Sequence, residues 1–159
     1  MRRSRTIVLA TAVAALVLLA AGCVSGIPKP SPVVTGVLMT IETRGGMCAP
    51  GPCGTTIFVE RDGRVHQAAK PPNDPGRVPP VALVALVEAI RTTDFVALAS
   101  HPFTGMCPTA FDGQEIVFEF GAPGGVQRVA TCEAEVDFGS PLFVAVSAAV
   151  GSFVPLPTP

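Results

Sequence analysis

The sequence predicts an α+β fold: a small antiparallel sheet with two helices on one face, in a single domain over residues 35–153. Three observations predict it. Alternating apolar and polar residues mark strands that come in pairs around Gly-rich turns. Two apolar segments, each opened by proline, are long enough for helices. Each of these segments follows one of the hairpins, so both helices have a sheet beside them on which to bury a face.

The elements follow in order. Gly36 to Thr43 reads as a first strand, with Val37, Met39 and Ile41 on one face. A Gly- and Pro-rich loop from Gly45 to Gly54 carries Cys48 and Cys53. Thr55 to Arg61 and Arg64 to Ala68 flank Asp62-Gly63, a pair that supplies the positive φ angles of a tight hairpin turn. Pro71 to Pro80 reads as a loop. Pro79 and Pro80 then open a helix from Val81 to Arg91, since proline suits the first helical turn. Val81, Val84, Leu86 and Glu88 are mixed around its wheel, which predicts a mostly buried helix. Phe95 and Leu98 follow as packing residues. His101 to Gly113 is a second irregular loop, carrying Cys107. Gln114 to Phe120 and Val126 to Cys132 form a second hairpin around Gly121 to Gly125, and Pro141 opens a helix from Leu142 to Val150. The end, 154–159, contains three prolines and reads as a disordered tail.

One internal similarity bears on the architecture. Gly46-Met47-Cys48 recurs as Gly105-Met106-Cys107, 59 residues later, and at the same offset Gly54 meets Gly113, Ile57 meets Ile116 and Glu60 meets Glu119. These identities read either as a duplicated β-β-α unit, whose two hairpins pair into one sheet, or as coincidence between two Gly/Cys loops that each precede a strand.

The N-terminus has the three parts of a secretory signal. Arg2, Arg3 and Arg5 form a positive stretch, Ile7 to Ala21 is apolar with Thr11 as a mild interruption, and Leu19-Ala20-Ala21-Gly22 leads into Cys23. This resembles the lipobox of bacterial lipoproteins. The resemblance implies cleavage after residue 22, a diacylglyceryl group on Cys23, and a cell-membrane protein held by lipid on the extracytoplasmic face. A transmembrane helix is the competing reading. The apolar run falls short of the ~20 residues that span a bilayer, and Pro28, Pro30 and Pro32 follow at once. Residues 23–34 then form a Pro-rich tether.

Removing residues 1–22 from the 159 leaves 137, enough for one domain with a proper core. The chain's net charge of −1 becomes −4 once Arg2, Arg3 and Arg5 leave. A weakly acidic domain is a poor nucleic-acid binder. The absence of Trp and Tyr also removes the usual stacking platforms for single-stranded nucleic acid.

Candidates for catalysis and metal binding each have a plainer reading. Ser100-His101 sets two catalytic residue types side by side, but sequence neighbours rarely meet as nucleophile and base, and no Gly-x-Ser-x-Gly elbow is present. His66 reads as a strand histidine. Glu133, Glu135 and Asp137 alternate with Ala134, Val136 and Phe138, so on an extended segment the acids share one face. Three acids on a flat face do not wrap a calcium ion that takes six to eight oxygens. No cysteine pair has the two-residue spacing of a zinc knuckle that His66 or His101 would complete. No catalytic residue, metal or cofactor is therefore expected.

Two family resemblances touch the domain. Cys48 to Thr55, Met106 to Asp112 and Cys132-Glu133 resemble the subtilisin inhibitor family of actinobacteria. That resemblance implies a substrate-like loop at Pro108, Thr109, Ala110 and Phe111, with a Thr109–Ala110 bond in the scissile-like position and a disulfide from Cys107 to Cys132. Separately, Gly45-Gly46, Asp62-Gly63, Val81 to Ile90, Asp94-Phe95, Asp112-Gly113 and Pro141 to Val150 are similar to emfourin-type small proteins. That similarity implies a β-β-α-β-β-α domain, a type of which some members block thermolysin-like metalloproteases.

Four cysteines besides Cys23 allow three disulfide pairings in an exported chain. The Ala-Pro-Gly-Pro spacer favours Cys48–Cys53. A loop folding back over the end of the second hairpin favours Cys107–Cys132. The rival, Cys48–Cys107, is what an internal twofold would bring together.

Three functional expectations follow. One is a non-enzymatic protein-binding domain acting on an exported protease or another envelope protein. The second is a structural or assembly lipoprotein without inhibitory activity. The third, a binder of a small apolar ligand, requires a hollow that a mostly buried helix on a small sheet does not offer.

Overall fold

A computed structural model of the protein describes residues 36–48, 51–68 and 73–157. The expected signal, Cys23 and tether lie outside the described residues. Strand β1, Val37–Gly45, runs through the middle of a six-stranded antiparallel sheet. On one side it pairs with β4, Thr55–Glu60, which pairs with β5, Arg64–Gln67, and then β6, Asn73–Arg77. On the other side it pairs with β7, Gln114–Ala122, which pairs with β8, Gly125–Ala130. Two short strands, β2 at Met47–Cys48 and β3 at Gly51–Pro52, form a separate small ladder. The helices are α1, Pro80–Thr92, α2, Phe95–Ala99, and α3, Pro141–Val150. The expected α+β class and the antiparallel sheet are present.

The register explains which face is inside. Met39 lies opposite Val59 and Phe120, and Ile41 opposite Ile57 and Phe118. Val65 and Val129 extend the same face across the outer strands. All of these side chains are buried. Phe143 of α3 meets the sheet edge-on, its ring centroid 5.1 Å from that of Phe118. Phe95 of α2 lies 5.5 Å from Phe120. Each fully buried large apolar side chain contributes roughly 1.5–3 kcal/mol, so this aromatic seam between sheet and helices is the densest part of the core.

The other face of the sheet is mixed: Phe58, Val117 and Ala130 lie on it, the last two buried, among polar pairs. Thr40 sits opposite Glu119, which sits opposite Arg128, and Arg44 sits opposite Glu115. Arg44 Nη2 donates to Glu42 Oε2 at 2.7 Å, which holds the Glu42 carboxyl below its ordinary range. Among the described residues, all three helices contribute side chains to the core on the apolar side.

Several expectations are corrected. Val37 does not join Met39 and Ile41 inside: the register shifts between Val37 and Met39, so that Leu38 turns into the core and Val37 stays 42% exposed. The first hairpin turns through Arg61, Asp62 and Gly63 rather than through a two-residue Asp-Gly turn. Only Gly63 takes a positive φ, of 86°, while Asp62 Oδ1 accepts the Arg64 N–H at 3.0 Å. Residues 73–77, expected as part of a loop, form the edge strand β6, where Pro75 is tolerated because an edge has a free side.

Helix α1 is not mostly buried. It buries one stripe, Ala82, Leu86 and Ile90, and leaves Val81, Val84 and Val87 exposed. The tail expected from 154 is packed at its start, with Val154 2% exposed and Leu156 against the core. The duplicated unit is not confirmed: β1 separates the two hairpins, which do not pair with each other.

Candidate functional site

Two features stand out, a loop tip at one end of the sheet and a cavity at the helix layer. The tip begins at Cys107, which is disulfide-bonded to Cys132 with a Cα–Cα distance of 5.2 Å. Pro108–Phe111 forms a single 3-10 turn. The Ala110 N–H donates to the Cys107 carbonyl at 3.0 Å and the Gly113 N–H to the Pro108 carbonyl at 2.8 Å. Asp112 closes the turn at φ 59°, the only non-glycine positive φ among the described residues.

Glycine is required on both sides of this closure. A Cβ at Gly113 would fall 2.6 Å from Pro108 Cβ. A Cβ at Gly45, where φ is 80°, would fall 2.7 Å from Thr109 Cγ2. The tip is thus seated on the end of β1 and tied by sulfur to the segment after β8. Pro108, Thr109, Ala110 and Phe111 all face solvent. Phe111 is 71% exposed and Met106 67%, and Met47, beside the other Gly-rich loop, is 81% exposed.

The local backbone bears on what the tip can do. A peptide that adds to a protein groove as a strand must be extended. Pro108–Phe111 is a helical turn, so Thr109–Ala110 is displayed at the apex of a knob rather than along a strand.

Cys53 is disulfide-bonded as well, and its N–H donates to the Gly46 carbonyl at 3.3 Å. The Cys48 side chain lies outside the described residues.

The structure does not bring the histidines into a catalytic arrangement. His66 Nδ1 lies 2.6 Å from Asp74 Oδ1, across the β5–β6 pair. His101 Nδ1 lies 2.9 Å from the Ala97 carbonyl. A carbonyl only accepts, so this nitrogen carries the proton. Ser100 Oγ donates to the same carbonyl at 2.7 Å, which commits its hydrogen to the helix end. Both side chains are thus occupied at the end of α2.

Chain comparisons identify no relative. No protein-family model, curated protein or solved structure matches this chain.

The three acids expected on a strand face lie in an irregular segment, where only Ala134 makes a bridge, to Pro102. Their alternation survives: Glu133, Glu135 and Asp137 are exposed while Ala134 is buried. Glu133 pairs with Arg128. Glu135 and Asp137 instead border a cavity of 760 Å³ between the C-terminal half of α1, α2 and the approach to α3. Its apolar wall includes Leu98, Val136, Leu142 and Phe143, and His101 and Ser140 join the acids at the polar side. The sequence reading missed this cavity. Among the described residues, no group of three or more His, Cys, Asp or Glu is placed to hold a metal ion, and no helix is long and apolar enough to cross a membrane.

Proposed function

We propose that the protein is a lipid-anchored extracytoplasmic domain without catalytic activity, whose disulfide-pinned tip binds another protein. The observation that carries the reading is the tip itself. Burying an exposed aromatic and a methionine on a surface loop costs little ordering entropy when the loop is already fixed. Phe111 and Met106 are exposed on a segment held by the Cys107–Cys132 bond and by its seat on Gly45. The proposed partner is an exported protease, in keeping with both family resemblances.

The experiment is a panel of exported serine and metalloproteases assayed with the protein and with Phe111→Ser. An inhibited protease should escape by roughly tenfold or more with the variant, as expected when a central aromatic anchor is lost. Inhibition that ignores the variant excludes the tip. The anchor is tested separately: Cys23→Ala should move the protein out of the detergent phase, and continued partitioning after signal cleavage would refute the lipobox reading.

The second reading, an assembly lipoprotein of the cell envelope without inhibitory activity, is favoured by one observation. The 3-10 backbone of Pro108–Phe111 does not offer Thr109–Ala110 as an extended substrate. A panel in which no protease is inhibited, together with photo-crosslinking from position 111 to a single envelope protein, would support it.

A further inference from the structure

We propose that the cavity beside α3 is a binding site for a small organic cation, a ligand with an apolar body and one ammonium group. Its size, 760 Å³, falls in the ordinary range of small-molecule pockets, roughly 300–1,000 Å³. The wall formed by Leu98, Val136, Leu142 and Phe143 suits an aromatic or branched aliphatic body.

The polar side selects charge. Glu135 and Asp137 both border the cavity, no Lys or Arg does, and neither carboxylate is in an ion pair among the described residues. The nearest arginine on α1, Arg91, is spent on Glu88, donating from both Nε and Nη2. The hydrogen-bond inventory points the same way. His101 uses its Nδ1–H on the Ala97 carbonyl, which leaves Nε2, an acceptor in the neutral ring. Thr92 and Thr93 donate their hydroxyl hydrogens to the Glu88 and Ala89 carbonyls, leaving lone pairs. The Ser140 hydroxyl makes no capping bond. The site is rich in acceptors and poor in donors, and an ammonium is the reverse: three donors and no acceptor.

One feature opposes this. The first turn of α3 brings partial positive charge, at most about half an elementary charge. Two full carboxylate charges outweigh it, and Asp137 Oδ1 already accepts the Gly139 N–H at 2.8 Å on the approach to that turn.

The test uses two probes with similar bodies and opposite charge, 2-phenylethylamine and 3-phenylpropionate, titrated into the full chain in a neutral detergent. Calorimetry gives affinity and amide chemical shifts give location. The amine should bind and shift Thr93, Leu98, Ser140 and Leu142, and phenylpropionate should bind at least about tenfold more weakly. Glu135→Gln with Asp137→Asn should cost the amine about tenfold and make the two probes alike. Asparagine at 137 keeps an acceptor for Gly139, so the approach to α3 is retained. Thr92→Trp, at an exposed rim position, should block both probes by filling the space. Equal binding of the two probes to the native chain, shifts that map elsewhere, or no binding of the amine up to about 10 mM would each overturn the assignment.

Discussion

Cys107→Ser should be among the most costly single-atom changes in this domain. The bond it removes closes a sequence separation of 25 residues. On the chain-entropy relation, a loop of that length contributes about 3.5 kcal/mol at 25 °C by restricting the unfolded chain. For a folded unit of about 120 residues, with an unfolding entropy near 2.1 cal/mol/K per residue, that corresponds to a Tm lowered by about 14 °C. The assay is thermal unfolding by circular dichroism on Cys107→Ser, Cys132→Ser and the double variant. Both sulfurs belong to one bond, so the three should lose the same stability to within about 0.5 kcal/mol. Cys53→Ser should lose less. Its expected partner, Cys48, is close in sequence, and a loop that short contributes about 2 kcal/mol on the same relation. The reasoning is refuted if Cys107→Ser lowers Tm by less than about 3 °C, or if the double variant loses the sum of the two singles. Either result would mean that the tip is held mainly by its backbone hydrogen bonds and its seat on Gly45.

Two further predictions concern the core and the first turn. Phe118 is fully buried and its ring lies near those of Phe120 and Phe143, so Phe118→Ala should cost about 3–5 kcal/mol by chemical denaturation; a loss under about 1 kcal/mol would mean that the seam collapses to fill the space. The Asp62 carboxyl is held below its ordinary range first by the Arg64 N–H and then by the Arg64 side chain. A depressed folded value stabilises above the unfolded value and is lost as pH falls through the folded one. The native chain should therefore exceed Asp62→Asn in stability at neutral pH and converge with it in acid. Parallel pH profiles for the two would remove Asp62 from the account of the turn.

Much of the sheet was legible because a strand's period of two leaves a strong mark. Met39 and Ile41 flank Thr40, and Phe118 and Phe120 flank Glu119, and the structure pairs them with each other and with Ile57 and Val59 across three strands. The helix starts were legible because proline at the first turn needs no amide partner, and both Pro80 and Pro141 occupy such positions. What escaped were places where tertiary pairing overrides a local pattern. Nothing in Val37-Leu38-Met39 announces a bulge, since all three residues are apolar and either parity looks acceptable. Residues 73–77 carry Pro75 and Gly76, which argue for a loop until an edge with one free side is available to them.

The cavity was illegible for a different reason, which also explains the error over α1. Periodicity reports which residues are able to be buried, not how much neighbouring surface exists to bury them. In α1 the valines at 81, 84 and 87 are apolar like the stripe formed by Ala82, Leu86 and Ile90, so the sequence predicts a mostly buried helix. A sheet with one layer of helices offers each helix a single inner face, and the valines are left outside. The same shortage of covering chain leaves a gap where the end of α1, the short α2 and the approach to α3 come together. The gap's wall is drawn from four separated stretches, 89–93, 98–101, 135–137 and 140–143. No spacing within any one of them encodes it. Only Glu135 and Asp137 carried a local signal, two acids in an apolar alternation with no basic residue nearby in sequence. On an extended strand that pattern reads as a solvated face. Without the strand, the same alternation turns Val136 into the cavity wall and sets the two carboxylates at its border.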